Sequence, residues 1–172
     1  NSYLPEVDVD PGGVDRHRRL VEEAKAAVDV PVIASLNGSS HGGWTWYARA
    51  LVDAGADALE LNVYFVAADV HDDPRDIEER YVELVTALRA VVRVPIALKL
   101  SPFFTALANL AQRLTVACAD GPGLFNRFYQ PASAPATLDV TPSLTLLPSH
   151  DLRLPLPWPA LHPGRVGAQQ PA

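Results

Sequence analysis

VPIALKLSPFF (94–104) is an apolar strand-like run whose only charge, Lys99, stands near its C-terminal end, just before a Ser-Pro turn. A short apolar stretch closed by a turn reads as a strand. VPVIASLNG (30–38) has the same shape: a Val-Pro lead-in, an apolar run, a polar residue and a turn. Pro31 and Pro95 lie 64 positions apart. Between them falls GADALELN (55–62), and 63 to 64 positions later comes CADGPGLFN (118–126), where Ala-Asp again leads through small and apolar residues to an Asn. The chain therefore repeats a unit of two strands and two helices. Each strand delivers a polar residue at its end: Asn37, Asn62, Lys99 and Asn126. This is the pattern of a parallel β/α layer or barrel, in which function collects at the C-terminal ends of the strands.

With 172 residues, 48% of them hydrophobic, the chain can bury a core as one domain. A complete (β/α)8 barrel usually takes about 250 residues. The fold class expected is therefore α/β, a partial (β/α)8 TIM barrel of about four βα units followed by a proline-rich C-terminal segment. A net charge of -6 and the lack of a basic block argue against nucleic acid as a partner. One cysteine and no methionine argue against a disulfide scaffold or a thiolate metal cluster. No apolar run approaches the roughly 18 residues of a membrane span. The opening NSYLPEVDVD has neither an initiator methionine nor a signal-like segment, which suggests a trimmed chain or fragment and a cytoplasmic setting.

In order, residues 1–13 read as an N-terminal loop and 14–126 as the βα units. Residues 127–163 read as a cap or insertion-like segment of the same domain, and 164–172 as a tail. Helices are expected at 14–28, 44–54, 74–92 and 104–114, and strands at 32–36, 58–63 and 95–100. The first strand is so apolar that cover on both faces is expected. The loop Asn37 to Gly43 holds glycines that fit either a ligand approach or a plain turn, and His41 within it reads as a surface residue. Glu60 is awkward inside a strand, since a carboxylate there must be paired or reach solvent or a ligand. Asp69, His71, Asp72 and Asp73 have oxygen and imidazole donors, yet they precede Pro74 and a long helix whose first turn favours carboxylates, so no metal is assigned. The fourth strand is weak: Pro122 removes a donor, Gly123 adds freedom, and the register is uncertain. Ten of the 16 prolines lie from Pro122 onward. Leu144 to Leu147 and Leu152 to Leu154 read as a small two-stranded cap.

No Ser-His-Asp order, Cys-His pairing, zinc spacing or strand-bound GxGxxG is present. The strand ends offer amide, amide, ammonium, amide. Asparagines suit the imide edge of a flavin or pyrimidine, and a lysine can fix negative charge at the electron-rich end of a reduced flavin. The alternative chemistry for Lys99 is a Schiff base, as in barrel lyases, which would want a depressed pKa and a nearby acid, and a third reading is that it simply extends to solvent from a strand end.

VPVIASLNG, GADALELNVY, VPIALKLSPFF and LFNRFYQP together resemble the dihydroorotate dehydrogenase family, most closely its dihydroorotate dehydrogenase-like branch, over about residues 14–166. The resemblance implies an FMN barrel that passes hydride from a CH–CH group of a small cyclic substrate to flavin in pyrimidine biosynthesis. It implies Asn62 and Lys99 as catalytic residues, Asn62 and Asn126 as substrate-binding, and Asn37, Asn62 and Lys99 as cofactor-binding, with Arg153 a weaker candidate. Two departures stand beside it. Phe65 occupies the place of the Cys or Ser base, Tyr64 being one position away, and the phosphate-binding loops after the last two strands are not in this chain. The alternatives are a Schiff-base lyase using Lys99 and an inactive or truncated barrel fragment without cofactor. The expected partner is a small molecule, and a homodimer is a candidate assembly because half-barrel edges favour association.

Overall fold

The computed structural model describes residues 13–37, 41–63, 67, 69–126, 132–134, 139–141 and 148–158. Four βα-type repeats run in order: helix α1 (Gly13–Ala27), strand β1 (Ile33–Leu36), α2 (His41–Asp53), β2 (Ala58–Asn62), α3 (Pro74–Arg89), β3 (Ile96–Leu100), α4 (Leu107–Val116) and β4 (Gly121–Leu124). The strands pair in parallel in the order β1-β2-β3-β4. This is a partial, roughly four-unit (β/α) barrel, as the strand repeat predicts. No helix among the described residues is long and apolar enough to cross a membrane.

The strands are rich in Leu and Ala, which favour helices, so burial rather than propensity fixes them as strands. Alternate residues go to opposite faces. Leu59, Leu61, Ile96, Leu98 and Leu100 are 0% exposed, facing the core with Leu51, Leu84, Leu88 and Leu110 of the helices. Each such aliphatic side chain contributes about 1.5–3 kcal/mol by leaving water. Among the described residues the other face is less buried. Ile33 is 61% exposed and Ser35 is exposed, while Glu60, Asn62, Ala97 and Lys99 are half-buried. The cover on both faces expected of β1 is thus corrected to cover on one, because all four helices share a side with the buried leucines.

The helix starts have local causes. Pro74 opens α3 and Asp73 caps it, its side chain accepting from the Arg75 N–H at 2.8 Å. Asp69 likewise accepts from the His71 N–H at 2.9 Å. α3 ends at Arg89, earlier than expected, and α4 begins three residues later than expected. There Ser101 accepts from the Phe103 N–H at 3.1 Å and prolongs the Ser-Pro turn. α2 begins at His41, so His41 to Gly43 belong to the helix rather than to the loop.

The weak fourth strand is nevertheless paired, with Leu98 opposite Pro122 and Lys99 opposite Gly123. Pro122 is tolerated because β4 is an edge of this sheet. Beyond it, Ala132–Ala134 (β5) and Asp139–Thr141 (β6) form an antiparallel pair. Leu152 lies in the 3-10 turn Ser149–Arg153, so the expected strand there is not formed; its intended partner, 144–147, lies outside the described residues.

Candidate functional site

The repeat that builds the sheet also fastens it. Asp57 and Asp120 occupy matching positions, as do Lys25 and Arg89, and Val32 and Ile96. Asp57 Oδ2 accepts from the Val32 N–H at 2.7 Å and meets Lys25 Nζ at 2.9 Å. Asp120 Oδ2 accepts from the Ile96 N–H at 2.7 Å and meets an Arg89 guanidinium nitrogen at 2.5 Å. Each clamp ties the loop before one strand to the start of its neighbour. The Lys25 hydrogen bond, then that of the Val32 N–H, holds the Asp57 carboxyl below the usual carboxylate range.

At the opposite ends of the strands the less buried face carries polar groups. Glu60 and Lys99 are the charged residues of β1–β4. Lys99 Nζ lies 2.8 Å from Glu60 Oε1, and Ser35 Oγ donates to that same oxygen at 2.8 Å. The three side chains thus span β1, β2 and β3 around one carboxylate oxygen. Burial pushes the Glu60 carboxyl up, but the hydrogen bonds from Lys99 and Ser35, with the Lys99 charge, outweigh it and leave it below its ordinary range.

One step nearer the strand ends, Asn126 Nδ2 donates to Asn62 Oδ1, joining β2 to the residues after β4 across β3. The Asn126 backbone N–H is fixed on the Leu100 carbonyl at 2.6 Å. Asn62 is the register partner of Lys99, so the amide pair and the ammonium belong to one cluster. Gly123 sits opposite Lys99, and a Cβ there would lie 3.3 Å from Lys99 Cα. The bare backbone of Gly123 is what lets β4 close against the lysine.

Of the residues expected in the site, Asn62, Lys99 and Asn126 come together. Asn37 is exposed after β1, and among the described residues no bond joins it to the other three. Arg153 is exposed in its turn. Phe65 and Tyr64 lie outside the described residues. Ser35 was missed, although the repeat held the signal: it is 64 positions before Lys99 and therefore at the same place in its strand. A separate open groove of about 850 Å³ lies outside, between α3 and α4, lined by Glu79, Arg89, Arg113 and Cys118 among others. It holds none of the strand-end residues, and Arg113 there is paired with Glu78 and Glu79.

No family model matches the chain. Over 121 residues it is 30% identical to a protein of Aeropyrum pernix provisionally assigned as dihydroorotate dehydrogenase A (fumarate), covering 67% of this chain and 38% of that one. Over 96 residues it is 36% identical to the catalytic subunit of dihydroorotate dehydrogenase B (NAD(+)) of Methanosarcina mazei, covering 54% and 31%. The chain spans about a third of the length of the curated relatives it matches. Among solved structures it is similar to dihydrodipicolinate synthase from Agrobacterium tumefaciens str. C58, with a TM-score of 0.52 at 20% identity over 70% of this chain and 37% of that one. It is also similar to dihydrodipicolinate synthase from Acinetobacter baumannii complexed with pyruvate, with a TM-score of 0.50 at 23% identity over 63% and 37%. At these identities the structural likeness is one of fold.

The expectation of a dihydroorotate dehydrogenase-like flavoprotein is corrected by these findings. The two solved structures named above share the fold and are dihydrodipicolinate synthases, so a barrel fold with four polar strand ends does not single out FMN. The strand ends themselves fix no cofactor: amides and an ammonium, the latter 2.8 Å from the Glu60 carboxylate, suit any small anionic or carbonyl ligand as well as a flavin. With FMN go the hydride-transfer chemistry and the place in pyrimidine biosynthesis.

Proposed function

We propose that Lys99 is the amine of a Schiff-base lyase of barrel type, acting on a small 2-oxo acid or aldehyde. One observation carries this reading: a primary amine stands near the C-terminal end of a barrel strand, on the less buried face, within a cluster of hydrogen-bonding side chains. Lys99 Nζ adds to the carbonyl carbon, water leaves, and the protonated imine draws electrons from an adjacent C–C bond. Asn62 and Asn126 bind the substrate, their amides supplying donors and an acceptor for a carboxylate and a carbonyl oxygen. The complex of one structural neighbour with pyruvate, a 2-oxo acid, supports the substrate class. A cytoplasmic setting suits a chain whose single cysteine can form no internal disulfide.

Borohydride added to the 172-residue chain in the presence of pyruvate is expected to leave a reduced adduct on the peptide that contains Lys99, read by mass spectrometry. Lys99→Arg keeps a cation beside Glu60 and is expected to give no adduct. If the unmodified chain gives none with pyruvate or with a panel of small aldehydes, the lysine reading is wrong.

A further inference from the structure

We propose that Glu60 is the proton carrier for Lys99 and that Ser35 is the residue that positions it, an inference that rests on the lysine reading above. Imine formation places a demand on the site that the lysine cannot meet alone. An ammonium has no lone pair, so its proton must go somewhere before the nitrogen can attack, and a proton must return before oxygen can leave as water.

The geometry provides one place for both transfers. Glu60 Oε1 is 2.8 Å from Lys99 Nζ, within direct proton-transfer reach. Ser35 Oγ donates to the same oxygen at 2.8 Å from the neighbouring strand, and Ser35 and Glu60 are register partners. The carboxylate is therefore held from two sides by backbone-anchored groups. No other charged side chain of β1–β4 competes for the proton.

The steps balance. An Nζ–H bond of Lys99 breaks, the proton goes to Glu60, and the freed nitrogen pair forms the N–C bond while the carbonyl π pair moves to oxygen. A second nitrogen proton passes to that oxygen, giving a carbinolamine. Glu60 then returns its proton to the hydroxyl, which leaves as water as the remaining nitrogen pair closes the C=N bond. Ammonium and carbonyl have become protonated imine and water, Glu60 is again a carboxylate, and no oxidant, reductant or metal is needed. Burial already pushes this carboxyl up and the Lys99 hydrogen bond holds it down, so a ligand that excludes water and loosens the ion pair raises its proton affinity when a base is required.

A purely structural ion pair makes the opposite prediction for Glu60→Gln. Removing the carboxylate would then free the amine, and trapping with pyruvate and borohydride would run as fast as before or faster. A proton carrier predicts slower trapping at neutral pH, by roughly 10²-fold or more, in a variant whose melting curve stays cooperative. Ser35→Ala is expected to slow trapping several-fold, and Ser35→Thr, which keeps the hydroxyl, to restore it. Equal or faster trapping in Glu60→Gln overturns the carrier role while leaving the lysine reading in place. An unmodified chain that gives no adduct overturns both.

Discussion

Cys118 holds a φ of +72°, a left-handed conformation that costs an L side chain about 1 kcal/mol or more. Its counterpart one repeat earlier is Gly55, with a φ of +101°. Both positions end a helix, and both are followed by a residue whose N–H returns to the helix: Ala56 to the Leu51 carbonyl and Ala119 to that of Leu114, at 3.1 and 2.9 Å. Glycine is the residue this turn calls for. Cys118→Gly is therefore expected to stabilise the fold by about 0.5 kcal/mol, the relief of strain exceeding the extra entropy of an unfolded glycine. Gly55→Ala should act in the opposite sense by about 1–2 kcal/mol, since an L side chain rarely adopts a φ of +101°. Paired thermal melts check both signs, and a Cys118→Gly variant that melts lower would contradict the assignment. The repeat makes this position legible in the sequence, because GAD and CAD align. The left-handed turn itself is visible only in the backbone.

Among the elements, β4 has the least intrinsic claim to its place: GPGL brings one proline, two glycines and a single large apolar residue. Its position is set by what lies at its two ends, the Asp120 clamp before it and the Asn126 bonds after it. Asp120→Ala leaves the Ile96 N–H without its side-chain acceptor at a residue that is 0% exposed, at a cost of about 1–3 kcal/mol. Asp57→Ala removes the matching bond at Val32, which is only half-buried, and should cost less. Urea unfolding of the two variants tests this order, and a larger loss at Asp57 would mean that β4 is held by something other than its clamp. The same contrast shows what the sequence conveyed. The apolar runs and their 64-residue spacing placed three strands within about two residues, and the strand-end rule brought Asn62, Lys99 and Asn126 to one cluster. Composition argued against β4, because tertiary bonds that hold an edge strand leave little trace in its own residues. Glu60 was visible as a misfit without a partner. The partner depends on strand register, which puts Lys99 diagonally across from it and Ser35 directly opposite.

At the scale of the molecule, the described sheet ends at β1 on one side and β4 on the other, and the described helices α1–α4 pack on one of its faces. A closed barrel of this kind has eight strands, and closure is what removes unpaired edges. Among the described residues β1 and β4 each have one edge without a strand partner, and the less buried face shows Ile33 beside the Ser35-Glu60-Lys99 group. Such edges and faces recruit other strands. That face also carries one carboxylate and one ammonium, so two copies brought together across it bring no excess of like charge. The 172-residue chain is therefore expected to self-associate, with light scattering on a sizing column giving a mass above the 18.5 kDa of one chain and rising with concentration. Ile33→Lys puts a charge on the edge strand without touching the helix-facing core, and should shift the population toward single chains while leaving the helical signal intact. A chain that stays monomeric at its highest soluble concentration, or an Ile33→Lys variant that associates as before, would show that the β1 edge is not the contact. The outcome bears on the chemistry as well, because a carbonyl substrate at Lys99 needs water excluded from a face where the described residues leave that lysine only half-buried.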